Sequence, residues 1–412
     1  MEKNDRIYII GAGVSGLIAA YELEQAGYAP TILERSGSVG GRVKTLHEKG
    51  YALDLGFQVL LSAYPMAQQY LDMEVLKLRK LESGALIYVN GQSYRIGDPL
   101  RNWKVLLPTL FANIGSIADK LKILKLNRHL QQRSINDIFT APEQSTLEYL
   151  RAFGFSEKII TRFFRPFFAG IFLEPDLRTS SRMFEFVYKM FGEGYATIPK
   201  DGIGAISEQL KAKLKHTSIQ FNQEVKEVTP REIKLASGDT LSHDGVILTG
   251  NASALLPNMK EQDVEWKYCT CLYFQVDRTN IPQETIALIA DPNQLSNNLY
   301  AYMDVASGKT ILSVTTLRHD GLEDDVLIQK VSAEVKAYTG ASTVQYMHHY
   351  RIDQALPDIQ HLRMTAQPSE TKVVDNVFLA GDYLYNGSLN AAMESGRIAA
   401  VGLMQKHQAM PS

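Results

Sequence analysis

Residues 7–34 read IYIIGAGVSGLIAAYELEQAGYAPTILE, and the reading of this stretch decides the fold. Ile7, Ile9 and Ile10 make a β-branched run that stops at Gly11. Beyond Gly13 and Gly16, Leu17, Ala20 and Leu23 recur at helical spacing as far as Gly27. A second apolar run, Thr31-Ile32-Leu33, ends on Glu34. Strand, tight turn, helix and strand in that order predict a dinucleotide-binding βαβ unit. Gly11 permits the turn, Gly13 lets the backbone approach a pyrophosphate with no Cβ in the way, and Gly16 lets the helix lie close on the sheet. Val14 and Ser15 open the helix, whose unpaired N–H groups and dipole favour a diphosphate. Glu34, eighteen residues after Gly16, is placed to accept hydrogen bonds from an adenosine ribose. The unit leaves NAD and FAD both open, because each presents an adenosine diphosphate.

Outward from this unit, a chain of 412 residues is long for one core and suggests two or three domains. Its 43 basic and 45 acidic side chains nearly cancel, which argues against a nucleic-acid partner. Cys269 and Cys271 sit two apart on an apparent strand, a spacing that suits neither a CxxC redox pair nor a zinc site. The nine histidines are scattered, and the adjacent His348 and His349 alternate across a strand, so no metal is expected. With six residues before the first strand, no signal peptide is expected. No apolar run reaches membrane-spanning length. The expected location is cytoplasmic, with peripheral membrane contact left open.

Directly behind Glu34 come Arg35 and the run Gly40-Gly41-Arg42, which returns a backbone loop and a cation toward the diphosphate. GAGVSGLIAAYEL, then LERSGSVGGRV, then YALDLGFQ at 51–58 together resemble the flavin amine oxidase superfamily. That superfamily includes monoamine oxidases, protoporphyrinogen oxidases and phytoene-type desaturases, all FAD enzymes. The resemblance implies that Gly41 and Arg42 line the FAD diphosphate, that Gly56, Phe57 and Gln58 approach the isoalloxazine, and that Val225 lies against the adenine.

Residues 82–96 alternate apolar and polar around Asn90-Gly91, a hairpin signal. From Leu100 to Arg133 the pattern turns helical, interrupted by Pro108 and Gly115, with seven Lys or Arg against Asp119 alone. With Trp103, Leu106, Leu107 and Leu110 it reads as a helical subdomain with a solvated basic face, or as a basic amphipathic surface touching a membrane. Ten of the sixteen phenylalanines fall between Phe153 and Phe191. Their helical spacing predicts packed core, while resemblance places Phe167 and Phe168 beside an apolar substrate channel. Residues 194–214 resemble the superfamily's re-entry to the FAD domain, with Asp201-Gly202-Ile203-Gly204 at its turn. Strands with period two are expected at 268–276, 285–290, 298–303, 310–315 and 344–350, with a helix at 326–338. Amine oxidases carry a lysine on the first of these strands. The matching position is Cys269, and Lys267 falls two out of register.

At the far end, Val377-Phe-Leu-Ala-Gly381-Asp382 is an apolar strand ending on a glycine and an acid, and Ser388, Leu389 and Asn390 open a last helix. Its N-terminus would stabilise negative charge on a reduced flavin. This second approach to one cofactor favours FAD over NAD. Monoamine oxidases have a tyrosine where Ser388 stands and some members a nearby cysteine, so the resemblance implies non-covalent FAD and disfavours amine oxidation. Tyr350 would substitute for a tryptophan that relatives carry upstream of the segment Asp353–Pro357.

These readings predict an α/β fold. A discontinuous Rossmann-type FAD domain (1–75, 194–262, 370–412) joins an α+β substrate domain (76–193, 263–369) that holds a mixed sheet and a helical part near 100–193. The expected activity is hydride transfer from a small apolar substrate to FAD, desaturase- or protoporphyrinogen-oxidase-like. Amine oxidation with peroxide release and a non-catalytic flavin scaffold remain as alternatives, and no catalytic residue is named.

Overall fold

The computed structural model describes residues 5–97, 113–250, 254–256, 264–304, 307–317 and 321–408. Within them the opening stretch folds as strand Ile7–Ile10, helix Val14–Gln25 and strand Thr31–Glu34. These strands are the middle of a six-stranded sheet, ordered Ser218–Phe221, Thr31–Glu34, Ile7–Ile10, Gly245–Leu248, Val377–Leu379, Lys372–Val374. Every pairing is parallel except the last, at the edge. Parallel strands covered on both faces need continuous apolar runs, and Gly245–Leu248 is buried throughout.

Alternation along these strands builds two layers. Ile9, Ile32, Ile247 and Phe378 face the opening helix and the last helix, Leu389–Gln408. Ile10, Leu33, Val246 and Leu248 face a small antiparallel sheet of Val225–Val228, Glu232–Leu235 and Thr240–Ser242. The first and last helices meet at Gly396, where a Cβ would stand 2.2 Å from the Ser15 carbonyl oxygen. Elements 380 residues apart in sequence are thereby held together, with Ser395 Oγ 3.4 Å from Ser15 Oγ.

A seven-stranded mixed sheet forms the second half, ordered Val344–Pro357, Trp266–Val276, Lys309–Thr316, Ser296–Asp304, Ile286–Ile289, Gly84–Val89, Gln92–Gly97. The Asn90-Gly91 turn closes its edge hairpin with both residues at positive φ, +51° and +72°, as a two-residue turn of this kind requires. Helix Asp324–Thr339 covers one face through Leu327, Val331 and Val335, leaving the other toward the rest of the molecule. The strand expected at 344–350 continues to Pro357. Asp353–Pro357 is thus the end of that strand, paired with Trp266 and Lys267 past an irregularity in register.

The helical part comprises Ile117–Gln132, Ile135–Thr140, Thr146–Ala152, the segment from Glu157 to Phe172 with a π-turn at Ile160–Phe164, and Ser181–Glu193. Ser116/Asp119, Ser134/Asp137 and Ser145/Glu148 are reciprocal capping boxes, a signal present in the sequence as Ser-x-x-Asp/Glu. Trp103, Leu106, Leu107, Pro108 and Leu110 lie outside the described residues. No helix among those described is long and apolar enough to cross a membrane.

Asp119 is fully buried and accepts from Ser116 and Ser156, including Ser156 N–H at 2.9 Å and its hydroxyl at 2.7 Å. Burial raises its pKa, but these hydrogen bonds outweigh burial and hold it at about 2. A depressed carboxylate stabilises the fold above its unfolded value and loses that contribution as pH falls through the folded one. Between pH 4 and pH 2 the protein therefore loses about 2 kcal/mol from this group. Asp119→Asn, followed by urea unfolding against pH, is expected to flatten that part of the curve.

Candidate cofactor and substrate site

One cavity of about 1730 Å³ runs between the two halves. Pockets for a single small ligand typically hold about 300–1,000 Å³, so this one has room for a dinucleotide and a second molecule. Gly11, Gly13, Val14, Ser15, Glu34, Arg35, Gly41, Arg42, Gly56, Phe57, Gln58, Val225, Asp382, Ser388, Leu389 and Phe167, all singled out by sequence, line it.

The three fingerprint glycines separate by what surrounds them. A Cβ on Gly16 would stand 2.1 Å from the Gly11 carbonyl oxygen, so this glycine serves packing and lies off the cavity wall. Gly11 has φ +103°, and a Cβ there would meet the Thr249 hydroxyl at 2.6 Å. Gly13 has an ordinary φ of −73°, and a Cβ on it would meet nothing within 4 Å. Only emptiness on the cavity side makes Gly13 special, which is the cradle a diphosphate needs. The helix it starts has no side-chain cap, so its first N–H groups have no side-chain acceptor.

Glu34 is buried, and its carboxylate is aimed by two backbone donors, Ala12 N–H at 2.7 Å and Ser36 N–H at 2.8 Å. An ionised carboxylate has further lone pairs for ribose hydroxyls. Arg42 makes a two-pronged ion pair with Asp382, one arm at 2.9 Å, and stacks 5.1 Å from the Trp266 ring centre. The two diphosphate-side elements predicted from opposite ends of the chain therefore touch each other. Gln58 braces this loop, its Nε2 donating to the Arg42 carbonyl at 2.8 Å and to the Leu55 carbonyl at 2.9 Å. Gly381 has φ +146° and packs edge-on to Tyr383, where a Cβ would meet the ring at 2.3 Å, so it turns the chain to present Asp382 without itself lining the cavity.

Ser388 caps the last helix: its Oγ accepts from Ala391 N–H at 3.0 Å and donates to Asn386 Oδ1 at 2.6 Å. Besides Gly16 and Gly381, three more expected site residues lie off the wall. Asn390 is fully buried with its Oδ1 accepting from Met66 N–H at 3.0 Å, because the helix turn after Ser388 carries it to the far side. Phe168 is sealed among Phe164, Phe172 and Phe184, one helical position from the cavity-facing Phe167. Tyr350 packs with Tyr273 and His348 beside Cys271, off the wall.

The tryptophan on the wall is Trp266, from the neighbouring strand, with a buried indole N–H that has no partner among the described residues. The hydroxyl of Tyr383, also on the wall, is likewise unpaired. Lys267 and Cys269 both face the cavity, as residues two apart on a strand do. Lys267 is tied to Asp358 at 3.3 Å and lies 3.3 Å from the Thr179 hydroxyl. Burial, with Cys271 adding, pushes the Cys269 thiol up to about 12, so it stays protonated. The empty cradle at Gly13, the aimed carboxylate of Glu34 and the orphaned polar atoms of Trp266 and Tyr383 all fit a large polar cofactor.

The model of the flavin-containing amine oxidoreductases matches residues 14–404. The chain is similar to protoporphyrinogen oxidase 2, chloroplastic/mitochondrial, of Arabidopsis thaliana: 25% identical over 302 residues, covering 69% of this chain and 57% of that protein. It is also similar to an L-amino-acid oxidase of Crotalus adamanteus, 31% identical over 153 residues, covering 35% of this chain and 30% of that one. It thus spans just over half the length of the first and under a third of the second. A solved putrescine oxidase variant shares the fold with a TM-score of 0.70 at 12% identity, covering 97% of this chain and 99% of that one. Matched by the family model over nearly its whole length, and folded around a cavity with room for a dinucleotide, the chain belongs to the flavin-containing amine oxidoreductases.

Proposed function

We propose that this enzyme takes hydride from a small apolar substrate, in the manner of a desaturase or protoporphyrinogen oxidase, with FAD held non-covalently. The carrying observation is the wall built by the helical part and the second sheet: Phe167, Ile171, Phe172, Met183, Val187, Phe191, Ile286 and Leu288 face the cavity together. Bound flavin supplies the hydride acceptor. The chain's own work is then holding, orienting and keeping water out. Glu34, Arg35 and Val225 would hold the adenosine end; Gly13, Val14, Ser15, Gly41 and Arg42 the diphosphate; Asp382 the ribityl. Gly56, Phe57 and Gln58, with the helix start at Ser388 and Leu389, would flank the ring system. The neutral Cys269 offers no charge to steer an amine, and Ser388 is occupied as a cap.

Reduction of the flavin without oxygen, screened over polyenes, porphyrinogens and amines, tests this reading. Bleaching by apolar substrates supports it. Bleaching by amines alone, with peroxide released in air, overturns it in favour of the second reading, amine oxidation. That reading rests on Lys267, which lines the cavity although two residues from the expected position. Phe167→Ser is expected to lower the rate of flavin reduction about tenfold, since roughly 1–3 kcal/mol of apolar contact is lost, with flavin content unchanged. Non-covalent attachment is checked by acid precipitation: the flavin should leave with the supernatant, although Cys269 stands on the wall.

A further inference from the structure

The basic helix Ile117–Gln132 is apolar on the side where a solvated helix is polar. Its buried side is set by Asp119, Leu126 and Leu130. At about 100° per residue, the direction opposite these three is occupied by Ile117, Leu121, Leu124 and Arg128. The first three are 72%, 63% and 48% exposed. Lys120 and Lys125 stand on either flank of this crest, and Lys122 lies farther round. Lys158 and Arg162, on the next helical segment, bond to Asn113 just before this helix. The nearby acids are committed: Asp119 is buried under Ser116 and Ser156, and Glu157 pairs with Arg151 at 2.7 Å. The surface is an aliphatic ridge about 10 Å long within a basic rim.

We propose that this ridge docks on the surface of a bilayer containing anionic phospholipid, with Ile117, Leu121 and Leu124 entering the acyl boundary and the flanking lysines and arginines meeting phosphate headgroups. An interfacial helix needs an apolar crest with cations along its edges, and this one has both. A second copy of the chain suits the face poorly, because a symmetric contact would set the same lysines against one another. The docked helix packs on Ser181–Glu193, whose Met183, Val187 and Phe191 line the cavity. An apolar substrate would then pass from bilayer to cavity across a single helix layer. That route rests on the function proposed above, whereas the docking does not.

The test uses the full chain with bound flavin and vesicles of phosphatidylcholine with or without phosphatidylglycerol. The protein is expected to sediment with the anionic vesicles, more weakly as salt rises, and at most poorly with the neutral ones. Ile117→Gln/Leu121→Gln/Leu124→Gln should weaken that binding at least about tenfold while flavin content and melting temperature stay unchanged, since all three side chains already face solvent. Leu121→Trp supplies an independent readout: brominated lipid should quench its added fluorescence. The proposal is overturned if the wild type stays in solution with anionic vesicles, if the triple variant binds as tightly as the wild type, or if the indole added by Leu121→Trp is not quenched. It is equally overturned if the wild type is a dimer that the triple variant converts to monomer, which would make a second copy the occupant.

Discussion

Gly13→Leu is expected to give folded, colourless protein. The position has an extended backbone that any residue adopts, and a Cβ there meets nothing within 4 Å, so the apoprotein loses no packing. The new side chain instead fills the cradle in front of the helix start. Flavin affinity should fall at least about 100-fold, or about 3 kcal/mol, while the urea midpoint of the apoprotein stays within experimental spread of the wild type. Gly16→Val, three residues on, should do the reverse. Its Cβ would lie 2.1 Å from the Gly11 carbonyl oxygen and 3.3 Å from an Ile9 methyl, so helix and strand must separate, at a cost above about 3 kcal/mol, and most of the protein should be insoluble. One motif thus fails in two ways. If Gly13→Leu retained full flavin, the diphosphate would have to lie elsewhere, and the proposed adenosine and diphosphate roles would fall with it.

The second large effect concerns Arg42 and Asp382. The Asp382 side chain is only 6% exposed, so Arg42→Ala leaves a buried carboxylate without its cation. Because Arg42 itself is partly open to the cavity, at 38%, water replaces some of what is lost. The expected cost is about 3 kcal/mol, at the lower edge of what breaking a buried pair costs. Flavin content should also fall, since the guanidinium lines the cavity on the proposed diphosphate side. Arg42→Ala/Asp382→Ala should recover part of the stability but none of the flavin. A double-mutant cycle by urea unfolding gives the coupling, and strictly additive losses would show that the two side chains do not act as a pair.

Much of the architecture was legible because it depends on local chemistry. The run from Ile7 to Glu34 announces a strand, a glycine turn and a helix through periodicity, and the structure has them there. Asn90-Gly91 announces a hairpin through its tolerance of positive φ. The strands around Cys271 and Leu312 announce themselves by alternation, and each was found within a few residues of its expected ends. Asp353–Pro357 was the exception, because a long strand that bends past irregular register loses its clean period of two.

Which side of an element meets the cavity was less accessible to the sequence. Phe167 and Phe168 are neighbours of equal hydrophobicity, and only the packing of Phe168 against Phe184 at 4.7 Å decides that Phe167 faces inward. Asn390 follows Ser388 by two residues, yet the helix turn carries it to Met66. Trp266 begins a strand and carries no motif, but pairing with Pro357 brings it beside Arg42. Sequence by itself determined the α/β class and the strand–turn–helix unit with its glycines, because backbone geometry at a glycine or along a periodic run is a property of a few consecutive residues. The Arg42–Asp382 pair, the choice of Trp266 and Lys267 for the wall, and the solvent-facing aliphatic ridge of Ile117, Leu121 and Leu124 were decided only by tertiary structure. Each depends on which surfaces the two sheets and the helical layer cover, and that is settled by contacts between residues tens to hundreds of positions apart.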